Sequence, residues 1–129
     1  MHRQMIRLLA ILWAGAVSAH EMTPTYPKPS PSPIQGVTRF EMSLFNARRD
    51  VEYYALAVID KHGELMRFAA VDRILAVPYG ERRDFDVYIR NDDLPRARYI
   101  CTQSKVFTSK SNSPLVSSTI CSRVDGEVP

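Results

Sequence analysis

From Gly36 onward, apolar residues return at every second position in short runs, and each run stops at residues that reverse the backbone. In Arg39 to Leu44, apolar Phe40, Met42 and Leu44 alternate with polar neighbours, the period-two pattern of a strand with one wet face. Asn46 to Asp50 supplies a turn. The next run, Val51 to Ile59, is apolar on both parities. Its Val, Ile and Tyr content and its stop at Lys61-His62-Gly63-Glu64 favour a strand over a buried helix, and predict a central strand covered on both faces. Leu65 to Phe68, Ile74 to Val77 and Phe85-Val87-Ile89 follow, with Pro78-Tyr79-Gly80-Glu81 as the reversal between the last two. About seven short strands, without a convincing amphipathic helix, describe an all-β sandwich or small barrel.

Ahead of these runs, Met22 to Pro33 reads MTPTYPKPSPSP. Alternate prolines remove backbone donors and favour an extended path over a helix or a central strand. Residues 20–35 are therefore expected to form a proline-rich arm or a loose edge strand, ahead of a sandwich over 36–129.

The first nineteen residues have the three parts of an export signal: Arg3 and Arg7, an apolar run from Leu8 to Val17, and small residues at Val17-Ser18-Ala19. An apolar run of about ten residues is half of the roughly twenty that span a bilayer. The expectation is a cleaved signal peptide over 1–19, a periplasmic or secreted location, and no membrane insertion after processing. Two of the 17 Lys and Arg lie in that segment, which leaves 15 against 14 Asp and Glu, a formal charge of +1. That near-neutral balance speaks against a nucleic-acid partner. The remaining chain of about 110 residues suits one domain with one core.

An oxidising compartment lets Cys101 and Cys121 pair and stay paired. Their spacing closes a loop worth roughly 3 kcal/mol in the chain-entropy view, and no CxxC pair points to a metal or redox site instead. If the two cysteines are directly opposed in an antiparallel pair, all cross-strand partners sum to 222. The reversal then centres on Ser111, inside the polar stretch Ser109 to Pro114, and sets Phe107 opposite Leu115 and Val106 opposite Val116. Tyr99 stands two residues before Cys101, just after a turn, where immunoglobulin-like sandwiches place a structural corner tyrosine.

The order of these segments resembles the N-terminal immunoglobulin-like domain of periplasmic pilus-assembly chaperones. The likeness covers about Gly36 to Val124: a strand ending in Asn46, a two-sided strand closed by Asp60-Lys61-His62-Gly63, a segment running into Val77-Pro78-Tyr79-Gly80-Glu81, and then Phe85 to Ile89. It implies an immunoglobulin-like β-sandwich of about seven antiparallel strands with a disulfide-linked C-terminal hairpin. The chain departs from those chaperones in three respects. A second domain is not expected, no matching motif for the subunit clamp surrounds Lys28 or Lys110, and the expected last strand, Leu115 to Cys121, is rich in Ser and Thr. The opening His20 to Pro27 also looks like that of short uncharacterised secreted proteins of marine bacteria and their tailed viruses.

Catalytic patterns are missing from the sequence. There is no GxSxG elbow, no Gly-rich phosphate loop and no calcium-loop spacing, so the chain does not read as an enzyme and needs no cofactor. After cleavage His20 becomes the first residue, and its amine and ring nitrogen could chelate copper, with His62 the second histidine at hand. His62 itself sits in a turn where exposure is the ordinary state. The leading expectation is a non-catalytic module that binds a protein partner through a sheet edge or through the proline-rich arm, in a chaperone-like or assembly role. Copper binding through His20, and a structural or adhesive part of a surface appendage or virion, are the alternatives.

Overall fold

The computed structural model describes residues 20–105 and 117–126. The expected signal segment, the turn at Ser111, the pairs Phe107–Leu115 and Val106–Val116, and Lys110 lie outside the described residues. Among the described residues the chain is all-β. Its strands are β1 (His20–Thr23), β2 (Ser30–Pro31), β3 (Val37–Asn46), β4 (Tyr53–Asp60), β5 (Leu65–Met66), β6 (Ile74–Ala76), β7 (Arg82–Arg90), β8 (Ala97–Lys105) and β9 (Thr119–Arg123). These exceed the expected seven because the arm contributes two short strands. A 3-10 turn, Leu94–Arg96, leads into β8.

All strand pairs are antiparallel, in two sheets. In the first, β7 runs along one side of β3, while β1 and β2 share its other side at opposite ends. In the second, β4 is central, with β8 on one side and the short β5 and β6 on the other, and β9 extends the sheet beyond β8. The alternation in β3 is what its sequence requires: Thr38, Phe40, Met42, Leu44 and Asn46 are buried and the residues between are not.

The sheets face each other across a core in which Phe40, Met42, Val87 and Ile89 of the first meet Val58, Ala97 and Ile100 of the second. A neighbouring cluster of Leu44, Val51, Tyr54, Leu56, Leu75 and Val77 continues it, with Phe68 and Phe85 packed against both. Fully burying a side chain such as Leu44, Val87 or Ile89 contributes roughly 1.5–3 kcal/mol.

β4 holds the central place its sequence predicts, but it is covered on one face rather than two. Tyr54, Leu56 and Val58 are buried, whereas Tyr53 is exposed and Ala55, Ala57 and Ile59 are half-buried on the outer face. Small alanines at two of those outward positions need little cover, which is why an apolar run on both parities does not demand a second layer.

Two turns fix the ends of this framework. Asp60 Oδ1 accepts the backbone N–H groups of His62 and Glu64, and Gly63 takes the positive φ that closes the β4–β5 reversal. Gly80 does the same before β7, where its N–H donates to the Asn46 carbonyl and the Asn46 N–H donates to the Glu81 carbonyl.

The disulfide joins Cys101 to Cys121 in the expected register, with Tyr99 opposite Arg123 and Gln103 opposite Thr119. Hydrogen bonds from Val124 N–H to Arg98 C=O and from Ser104 N–H to Ser118 C=O mark the bonded pairs. The cysteines, at odd positions, therefore form a non-bonded pair, where side chains approach most closely.

Candidate functional site

The backbone of β7 is paired along its length with β3 on one side, and at Tyr88 with Ala69 on the other. Asn46 N–H bonds Glu81 C=O at one end of the β3–β7 ladder, and Asn91 N–H bonds Gly36 C=O at the other. In an antiparallel ladder bonded and non-bonded pairs alternate, so the odd residues of β7 point their peptide groups at β3 and the even ones point away. Of the even ones, Tyr88 is met by Ala69, with which it exchanges both hydrogen bonds at 2.9 Å. Past Ala69 the chain peels off toward β6, in the other sheet. Among the described residues, the outward peptide groups of Arg82, Asp84 and Asp86 find no hydrogen-bond partner.

Where the chain peels away it leaves a groove of about 260 Å³ along this edge, lined on its inner side by Ala70, Leu75 and Phe85 and on its outer side by Asp84 and Asp86. Val71 stands at the rim, 92% exposed. The far wall is held in place: Arg83 pairs with Asp72, and the Arg73 guanidinium lies 4.4 Å from the centroid of the Phe68 ring.

The outer face of the first sheet carries carboxylates beside this edge. Glu41 is directly opposite Asp86, and Ser43 is opposite Asp84. Arg39 pairs with Glu41 at 3.2 Å, but among the described residues no cation pairs with Asp84 or Asp86. Like charges placed directly across a ladder cost stability. A second hollow, of about 530 Å³, opens on the same face where the arm leaves β3 at Pro24, and is lined by Glu41, Ser43, Asp84 and Asp86.

On the opposite side of the molecule the arm lies against β9. His20 meets Ser118, Pro24 C=O accepts from Ser122 Oγ, and Thr25 C=O accepts from Arg123 N–H, each partner 98 residues further along. A constant offset means that the two segments run parallel. His20 is only 3% exposed. Its Nε2 lies 2.9 Å from Thr102 Oγ1 and its Nδ1 3.1 Å from Ser118 Oγ, and its ring centroid is 4.6 Å from that of Tyr54. Burial holds the imidazole below its ordinary 6.5, Arg48 adds to this, and the hydrogen bond at Thr102 opposes it. Tyr54, buried beside it, is pushed up to about 12 by the same loss of water.

The structure separates the two histidines considered for copper. His20 contacts Tyr54 near the start of β4, while His62 is exposed beyond its far end. Six residues of strand put roughly 20 Å between those ends. Both His20 ring nitrogens already have hydroxyl partners, and among the described residues no group of three or more His, Cys, Asp or Glu side chains could hold a metal ion. Tyr99 is half-buried in β8 between Ile59 and Arg123, and its hydroxyl forms no hydrogen bond with another described residue. Lys28 is exposed between β1 and β2.

Sequence reasoning passes over two sets of residues. Asn46 is fully buried and joins three segments, and Asp84 and Asp86 flank an edge whose openness depends on which strands pair. The advance signals for Asn46 are a polar residue on the buried parity of β3 and its place at the strand end in the chaperone likeness, neither of which gives its partners. Comparison of the chain with protein-family models, with curated proteins and with solved structures finds no match.

Proposed function

We propose that this chain is a non-catalytic, exported protein-binding module with an immunoglobulin-like sandwich, which takes up an extended segment of a partner along the open edge of β7 in a chaperone-like or assembly role. The observation that carries the reading is the run of unbonded peptide groups at Arg82, Asp84 and Asp86 beside a groove. An edge of this kind supplies main-chain hydrogen bonds to an added strand, and a groove beside it supplies selectivity.

The strand order supports the immunoglobulin-like form. A sheet of β1 and β2, β3 and β7 faces one of β5 and β6, β4, β8 and β9, with an arm that lies at the seam of the two. The Cys101–Cys121 disulfide supports an oxidising location. Among the described residues no helix is long and apolar enough to cross a membrane. The likeness to pilus-assembly chaperones favours an assembly role over a catalytic one. The arm is the weaker docking element, because both its ends already pair with β3 and its middle meets β9.

A proline at Asp86 tests the reading. That N–H points away from β3, so Asp86→Pro removes a donor from the open edge and none from the ladder. A partner captured from an exported-protein fraction by the unaltered protein should be lost with Asp86→Pro at unchanged far-UV dichroism. Equal capture by both proteins overturns the assignment of this edge.

A further inference from the structure

The edge of β7 also specifies what chemistry it accepts, and this inference rests on the reading above. A strand added there places its residues opposite Arg82, Asp84 and Asp86 on the outer face, and the residue opposite Phe85 on the inner face. The inner position meets Phe85, Leu75 and Ala70, which form an apolar wall. The outer positions meet Asp84 and Asp86, which have no cationic partner among the described residues, with Glu41 directly across from Asp86.

The geometry points to a partner segment of alternating cationic and apolar residues, with the minimal pattern basic, apolar, basic seated against Asp84, Phe85 and Asp86. Two arguments select it over other extended segments. The carboxylates sit where cross-strand neighbours fall, so a basic side chain relieves repulsion that Glu41 and Asp86 otherwise keep. An acidic segment adds to that repulsion, and a segment apolar on both parities leaves Asp84 and Asp86 facing uncharged groups. The inner slot accepts an apolar side chain because the wall offers it no hydrogen-bonding side chain apart from the Arg83–Asp72 pair, which already satisfies itself.

The probes are two labelled peptides of about seven residues, the length of a short strand, one alternating Lys with Val and one alternating Glu with Val, titrated by fluorescence anisotropy. The Lys–Val peptide should bind roughly tenfold more tightly than the Glu–Val peptide, and the double variant Asp84→Lys, Asp86→Lys should invert that order. In the unaltered protein the amides of Asp84 and Asp86 should exchange more slowly with the Lys–Val peptide bound. Equal binding of both peptides that Asp86→Pro abolishes overturns the basic pattern and leaves the edge standing. Lys–Val binding that leaves the Asp84 and Asp86 amides unprotected overturns the edge as well, and needs no variant to fold. Failure of the Lys–Val peptide to bind overturns the inference.

Discussion

Tyr54 donates its hydroxyl proton to Asn46 Oδ1 across 2.5 Å, in a site from which both side chains are fully withdrawn from water. The same Asn46 donates through Nδ2 to the carbonyls of Val51 and Val77, and its Oδ1 also accepts the N–H of Arg48. One amide thus ties the end of β3 to the β3–β4 loop, to β4 and to the segment after β6. A buried network of this kind stabilises because each member is satisfied, and losing one member exposes the others.

Asn46→Ala should therefore destabilise the fold by about 2–4 kcal/mol, since two carbonyls, an N–H and the Tyr54 hydroxyl lose a partner together. Tyr54→Phe should cost only about 1 kcal/mol, because Oδ1 keeps the Arg48 N–H. Urea denaturation of both single variants and the double variant should show that the two losses do not add.

His20 predicts how stability responds to acid. Its folded-state value lies below the ordinary 6.5, so between those two values the unfolded chain binds more protons than the folded one. Stability from this group is complete above 6.5 and is lost as the pH falls through the window beneath it, at up to about 1.4 kcal/mol per pH unit. Denaturation midpoints measured from about pH 8 down to about pH 5 should decline in the unaltered protein and stay nearly flat in His20→Gln. The carboxylates of Asp50 and Asp93, held below their ordinary 3.8 by Arg48 and Arg67 respectively, act only at lower pH and in the same direction.

The disulfide closes a loop between residues twenty apart, for which chain entropy gives roughly 3 kcal/mol. The Cys101→Ser, Cys121→Ser double variant should lose about that much stability by chemical denaturation. The exposed position of Cys121 should also make reduction by dithiothreitol possible without prior unfolding, as read by thiol labelling under native conditions.

Asp86→Lys should raise stability by roughly 0.5–1 kcal/mol, because it replaces a carboxylate opposite Glu41 with a cation. A thermal midpoint a few degrees higher is the corresponding readout. A stabilising substitution at the open edge identifies a position whose charge serves something other than the fold.

Much of the architecture can be read from the residues themselves. Phe40, Met42 and Leu44 alternate as they fold, and the opposition of Cys101 and Cys121 follows from one assumption about register. The docking edge is different in kind. Side-chain alternation shows which way Asp84 and Asp86 point, but their peptide groups are perpendicular to that direction, and whether they are used depends on how far the chain beyond Ala69 follows Tyr88. His20 is hidden for another reason. Read alone it is a residue expected to come first after cleavage, and only the packing of Thr102, Ser118 and Tyr54 around it makes it part of the interior.

The parallel seam between the arm and β9 bears on the order in which the molecule assembles. A chain made from its N-terminus holds β1 long before the segment containing Ser118, Ser122 and Arg123 exists, so those contacts have the greatest sequence separation and come late. Until then His20 and Met22 have no finished wall to lean on.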